Sequence, residues 1–272
     1  MDTLAFLIPP FLMCLVLVGI HCYLGIHVLK RGVIFIDLSL AQVASLGSTV
    51  ALMFHLEHHS FGSYSVSLGC TFIAALYFAW GKKHEKVIPQ EVLIALVYAL
   101  SSSLVVLVIN SLAHGAEHIK DILVGKILWV SYDDVFKTAA IYSVVAGIHY
   151  KFRRQMMAVS DSHSEDSEGS DGLLWDFLFF ALFGVIITSS VGVAGILLVF
   201  SFLVVPALIS MKFFHSTKSQ LLAGWGIGTL LCTLGLFISY MMDLPAGAVM
   251  VVVFAATPIL GLPLLVMTRN RA

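Results

Sequence analysis

An uncharged apolar run in the second half of the chain is enough to assign the fold class. It reads Gly195-Ile196-Leu197-Leu198-Val199-Phe200-Ser201-Phe202-Leu203-Val204-Val205-Pro206-Ala207, and its apolar character extends over about residues 194–211. An uncharged run of about 18 residues can cross a bilayer as a helix. We therefore expect a transmembrane helix here, kinked at Pro206 because proline lacks the backbone N–H that the helix needs.

Eight more apolar runs accompany this one. At about 20 residues for each span, nine spans would occupy two thirds of the 272 residues. The sequence therefore predicts an all-α transmembrane bundle of about nine spans, formed as one domain over residues 1–272 with no soluble domain. The eight runs cover residues 4–29, 33–54, 64–80, 91–110, 135–150, 174–190, 220–241 and 245–267.

The composition excludes several classes of protein. Hydrophobic residues make up 59% of the chain and charged residues 11%, with a mean hydropathy of +0.98. A soluble domain carries about 25% charged residues, so a soluble enzyme is excluded. The net charge of −1 gives no basic field for nucleic acid. The nucleotide-binding motif G-x-x-x-x-G-K-[ST] is absent, as are the hydrolase motifs HExxH and GxSxG, which argues against an enzyme.

Basic residues in the connections predict the orientation, because cytoplasmic loops are enriched in Lys and Arg. With the N-terminus outside, only Lys120 and Lys126 fall in outer connections, and Lys137 lies at a helix start on that side. The sequence thus favours nine spans, N-out and C-in, in a cell (inner) membrane. The inner connections then hold Lys30, Arg31, Lys82, Lys83, Lys86, Lys151, Arg153, Arg154, Lys212, Lys218, Arg269 and Arg271.

Two outer loops are rich in histidine. His114, Glu117 and His118 would share one face of a helix, and His and carboxylate are ligands for first-row transition metals. An earlier loop holds His55, Glu57, His58 and His59. Both clusters are interpreted either as metal contacts or as histidines tolerated at a polar interface. The neighbouring segment 119–130 is interpreted as a surface or partly re-entrant helix.

Two further polar features lie on the inner side. Asp37 is a carboxylate within an apolar run, which makes it a functional candidate, although it could instead pair with Lys30 or Arg31. The longest polar stretch, 151–173, is rich in serine and acidic residues. It is interpreted either as a solvated loop or as a segment that docks on a partner.

Four segments together resemble the permease subunits of zinc/manganese/iron-uptake ABC transporters. The run ending in Pro206-Ala207 is similar to a hydrophobic run of that family, and the turn Asp243-Leu244-Pro245-Ala246-Gly247 matches its Asp-x-Pro-x-Gly turn. The other two segments are Arg31 through Gly47, which is similar to the second helix, and Leu123 through Ser131, which resembles a glycine-centred segment.

The resemblance implies a homodimeric permease with a separate ATP-binding subunit below it and an extracytoplasmic substrate-binding protein above it. Stretch 151–173 would then be the coupling loop, with Glu165 and Gly169 facing the ATPase. Asp243 would lie at the outer mouth. The permease itself would have no catalytic residue and no tightly bound cofactor, because the divalent metal ion is the transported cargo.

The second helix departs from the family pattern. The family often has a Gly-Asp pair there, with a histidine four residues after the aspartate, whereas this chain has Asp37, Leu38 and Gln42 at those positions. The candidate metal contacts are therefore Asp37 and Gln42 together with His114, Glu117 and His118. The sequence favours the permease subunit of an ABC importer for zinc, manganese or iron. The alternative is a self-sufficient secondary carrier or channel.

Overall fold

In a computed structural model, the described residues (3–57, 60–110, 115–158, 160 and 170–269) form eleven α-helices and one 3-10 turn, with no strand. All of the predicted apolar runs fall on helices. The helices are α1 Thr3–Arg31, α2 Ile36–Met53, α3 Phe61–Lys83, α4 Gln90–Ile109, α5 Gly115–Val124, α6 Tyr132–Lys151, α7 Arg153–Ala158, α8 Ser170–Ala194, α9 Ile196–Phe213, α10 Thr217–Met242 and α11 Ala246–Arg269. The 3-10 turn Ile127–Trp129 lies between α5 and α6.

Seven helices in the described part of the chain are long and apolar enough to cross a membrane: α1, α2, α3, α4, α8, α9 and α10. The sequence predicted nine spans. The difference lies in α6, whose first turns carry Asp133, Asp134 and Lys137, and in α11, whose side chains the structure describes only as far as Gly261. The all-helical class is confirmed.

The centre of the bundle is formed by α1 and α2, because 67% of the most apolar 18-residue stretch of each helix is buried. Helix α1 packs on α9 and α10, while α2 packs on α3, α4 and α8. In contrast, α4 is only 28% buried and α3 and α10 33%. Their apolar side chains therefore face outward, as expected for helices in contact with lipid.

Small residues bring α10 against α1. A Cβ added at Gly224 would lie 2.2 Å from the Cys22 sulfur, and one at Gly228 would lie 2.5 Å from a Val18 methyl group. The small residues of α10 therefore allow its backbone to approach α1 closely. Pro206 is buried inside the continuous helix α9. The segment predicted to be a re-entrant or surface helix forms α5 followed by the 3-10 turn.

The two ends of the bundle are built from different kinds of residue. The arginine end comprises the C-terminal ends of α1 and α3 and the N-terminal end of α8, where Arg31, Lys82 and Asp176 meet. The glycine end comprises the α5–α6 connection and the α8–α9 and α10–α11 junctions, where Gly125, Gly195 and Gly247 lie.

Candidate functional site

At the glycine end, two backbones touch through a pair of glycines. Gly125 (φ 69°) and Gly195 (φ 76°) both adopt a left-handed conformation that favours glycine. A Cβ added at Gly195 would lie 2.4 Å from the Gly125 nitrogen. The neighbouring Lys126 N–H donates to the Val193 carbonyl at 3.0 Å. The α5–α6 connection is therefore fixed against the α8–α9 junction by backbone contacts.

The α10–α11 turn packs against the same connection. Asp243 ends α10 in a left-handed conformation (φ 52°, ψ 43°), and its N–H donates to the Ser239 carbonyl. A Cβ added at Gly247 would lie 2.3 Å from the Val124 carbonyl oxygen. A cavity of about 220 Å³ lies between segment 120–129 and Pro245 to Gly247. Three segments far apart in sequence thus meet at one end, and Asp243 is exposed there.

Helix α2 carries the two candidate metal contacts of the bundle interior. Asp37 is 1% exposed and Gln42 is 7% exposed. One oxygen of the Asp37 carboxylate has no hydrogen-bond partner. The two side chains are five residues apart, so they point about 140° apart around the helix. The structure therefore does not bring the two side chains to one face of α2. They could share an ion only if groups outside α2 also bound it.

Arg31 pairs with a different carboxylate from the one considered in the sequence. Its guanidinium donates to the Asp176 carboxylate at 2.9 Å, and Lys82 reaches the same oxygen at 3.0 Å. The Arg31 side chain is 3% exposed and that of Asp176 is 9% exposed. The guanidinium also stacks over the Phe179 ring at 3.8 Å. The partner of Arg31 is thus Asp176 on α8, and the alternative pair of Arg31 with Asp37 does not form.

Sequence reasoning missed a row of buried polar contacts along α1. His27 Nδ1 lies 2.8 Å from the Ser160 hydroxyl. The Arg31 Nε donates to the same oxygen at 3.1 Å. Further up the helix, His21 Nε2 lies 3.1 Å from the Ser190 hydroxyl. The available signal was the presence of histidines in an apolar span, where each polar side chain needs a partner.

Several predicted contacts cannot be located. His114, Glu165 and Gly169 lie outside the described residues, as do His58 and His59 of the earlier loop. Glu117 and His118 lie in helix α5, but the structure describes only their backbone and not their side chains. Across the described part of the chain, no three His, Cys, Asp or Glu side chains form a group that could hold a metal. The metal contacts stay a prediction.

Comparison with known proteins finds relatives named for iron and manganese transport. The chain is 24% identical to a Haemophilus influenzae protein named "Probable iron transport system membrane protein", over 93% of this chain and 89% of the relative. It is 23% identical to the manganese transport system membrane protein MntC of Listeria monocytogenes, over 85% and 80% of the two chains.

A solved structure shares the fold. PsaBC from Streptococcus pneumoniae, in complex with a Fab, superposes with a TM-score of 0.76 at 20% identity, covering 94% of this chain and 90% of that one. The model of the ABC 3 transport family matches residues 3–264, which is nearly the whole sequence. This multi-pass membrane protein therefore belongs to the ABC 3 transport family.

Proposed function

We propose that this chain is the membrane-spanning permease subunit of an ABC importer for a divalent transition metal, namely zinc, manganese or iron. The observation that carries the proposal is the meeting of Gly125, Gly195 and Gly247 at the glycine end, because these glycines belong to three of the four family-like segments. The family match over residues 3–264 and relatives named for manganese and iron transport support the metal assignment.

In this proposal the chain spans a cell (inner) membrane nine times, with its N-terminus outside and its C-terminus inside. The arginine end faces the cytoplasm, as the excess of Lys and Arg in its connections favours. The glycine end, with Asp243, faces outward and receives the ion from an extracytoplasmic substrate-binding protein. Helices α6 and α11 complete the nine spans.

The ion would be handled by weak, transient contacts. Asp37 is the strongest candidate in the interior, because its buried carboxylate has an oxygen with no hydrogen-bond partner and could accept a passing cation. Gln42 offers a second oxygen on another side of α2. His114, Glu117 and His118 would supply ligands at the outer entrance.

Energy would come from a separate ATP-binding subunit, and this chain would have no catalytic residue. Two copies of the permease would rock between outward and inward states as the ATPases close. Residues 151–173, including Glu165 and Gly169, would form the coupling loop. The contact of Ser160 with His27 and Arg31 supports this role, because it ties the end of α7 directly to the central helix α1.

The test is ATP-driven metal uptake by the tagged chain after purification from detergent with its partners. We expect an ATPase to co-purify, and we expect vesicles to accumulate Zn²⁺, Mn²⁺ or Fe²⁺ only with ATP. Asp37→Asn keeps the size of the side chain and should lower uptake at least tenfold. The matched control is Asp133→Asn, because the Asp133 side chain is 71% exposed, and it should transport normally. Glu165→Lys should weaken ATPase binding.

Other results would change the assignment in distinct ways. Metal movement without ATP, by a chain that purifies alone, would favour the secondary carrier or channel. A bound ATPase with no movement of divalent ions would keep the permease fold but exclude bare metal as cargo. Equal uptake by the Asp37 and Asp133 variants would remove Asp37 from the ion pathway.

A further inference from the structure

A large groove runs along the outside of the bundle between α1, α6 and α10. Its volume is about 1020 Å³, at the upper limit of the roughly 300–1,000 Å³ typical of ligand pockets. Its walls are apolar along most of their length, with small residues such as Gly19 and Ala146 leaving room between the helices. The groove could therefore accept an extended hydrocarbon chain.

One end of this groove is basic. Arg153 and Arg154 on α7 line it, and both are exposed. Among the ion pairs of the described residues, neither guanidinium has a carboxylate partner. The guanidinium of Arg153 lies 5.1 Å from the centre of the Tyr150 ring, which is 72% exposed. Tyrosine and arginine at one level are typical of the boundary between hydrocarbon and headgroups.

The length of the groove corresponds to one leaflet. The lining residues of α6 run from Ala139 to Tyr150, a rise of roughly 16 Å at 1.5 Å per residue. The hydrocarbon core of a bilayer is about 30 Å thick, so the groove spans about half of it. Its basic end coincides with the arginine end of the bundle, because α6 ends there and α10 begins there.

We propose that this groove binds an anionic phospholipid from the leaflet at the arginine end. An acyl chain lies along Gly19 and Ala146, and the phosphate accepts hydrogen bonds from Arg153 and Arg154. Charge complementarity selects this occupant, since paired guanidiniums bind phosphate strongly and basic pockets between transmembrane helices bind acidic headgroups. The proposal does not depend on which metal is transported, or on transport at all.

Trp225 provides a reporter inside the groove. It lines the cavity, and its indole N–H donates to the Gly19 carbonyl at 2.8 Å. A chain that retains only this tryptophan is obtained by Trp80→Phe, Trp129→Phe and Trp175→Phe. We would reconstitute this full chain in phosphatidylcholine vesicles and titrate in phosphatidylglycerol or phosphatidylcholine with brominated acyl chains, which quench indole fluorescence on contact.

We expect phosphatidylglycerol to quench Trp225 at a mole fraction at least about fivefold lower than phosphatidylcholine, the preference that one basic residue near the surface provides. Arg153→Gln with Arg154→Gln should abolish this preference. The matched control, Lys83→Gln with Lys212→Gln, removes two exposed charges from the same end and should keep it. Ala146→Phe should reduce quenching by both lipids, whereas Val144→Phe, outside the groove lining, should not.

Three results would overturn the proposal. Equal quenching by the two lipids would mean that the groove is only an apolar surface. Loss of the preference in the lysine control would assign it to the general charge of this end. An absence of quenching by either lipid would mean that protein, either a second copy or the chain's own segments, covers the groove. None of these results bears on metal uptake, so the two proposals fail separately.

Discussion

The two ends of the bundle are held together by opposite means. At the arginine end, long charged side chains converge: Asp176 accepts from both Arg31 and Lys82, and Arg31 also stacks on Phe179. At the glycine end, side chains are absent where the contacts are closest. The backbone at Gly195 lies against the backbone at Gly125.

This difference determines which changes each end tolerates. A buried ion pair responds to loss of charge, because an unpaired charge in a low-dielectric interior is costly. A contact between backbones responds to added volume, because there is no side chain that can rotate away. We therefore expect the arginine end to be damaged by substitutions that remove a charge, even when the shape of the side chain is kept. We expect the glycine end to be damaged by substitutions that add volume, even when no charge is changed.

The largest effect is expected from Asp176→Asn. This change keeps the shape but leaves Arg31 and Lys82 without their shared carboxylate. Breaking a buried pair costs about 3–5 kcal/mol, so the free energy of unfolding, measured by denaturant titration in detergent, should fall by that amount.

The control for this variant is again Asp133→Asn. Asp133 pairs with Lys137 one helical turn away, and both side chains are about 70% exposed, where water and salt screen an ion pair, so this variant should keep nearly all of the stability. If the two variants lost the same stability, burial of the Asp176 pair would have no energetic consequence. The proposed contrast between the ends would then be wrong.

A smaller effect is expected from Gly247→Ala at the glycine end. The new methyl group would lie 2.3 Å from the Val124 carbonyl oxygen, so one backbone must move, and overpacking of this kind costs about 1–3 kcal/mol. The matched change is Gly226→Ala on α10, where nothing lies within 4 Å of the added carbon. This control should leave the thermal midpoint unchanged or raise it, because alanine favours a helix by up to about 1 kcal/mol. A similar loss in both variants would argue against the backbone contact.

The sequence predicts the helices well because each apolar run is a local property. Each of the nine runs lies mainly on a helix. It predicts the contacts between distant segments poorly. Asp176 lies 145 residues after Arg31, and nothing in either local sequence indicates that they pair.

The candidate site shows the same difference between local features and contacts between distant segments. The residues of the glycine end could be selected from the family resemblance, but their meeting at one place required the fold. The polar row on α1 went unnoticed because periodicity distinguishes apolar from polar faces and does not identify partners. His27 and Ser160 are an example, since the hydroxyl belongs to a polar stretch that the sequence assigns only to a loop or a docking segment.

An effect on stability of similar size to that of Gly247→Ala is expected from Ser160→Ala. The Ser160 hydroxyl donates to the Met156 carbonyl at 2.7 Å and accepts from the Arg31 Nε. Its loss leaves the Arg31 Nε–H and the His27 Nδ1 without this partner, at a cost of about 1–3 kcal/mol. Ser65→Ala is the control, because that hydroxyl is exposed and bonds only to the Phe61 carbonyl one turn before it.

A transport measurement tests whether Ser160 does more than stabilise the fold. If the contact transmits motion from the coupling loop to α1, Ser160→Ala should keep ATP hydrolysis but lower the metal moved for each ATP consumed, whereas Ser65→Ala should leave that ratio unchanged. The ratio is measured in vesicles that hold the permease with its ATPase. A variant that loses stability but keeps the normal ratio would limit Ser160 to a structural role at the arginine end and leave coupling to residues 161–173.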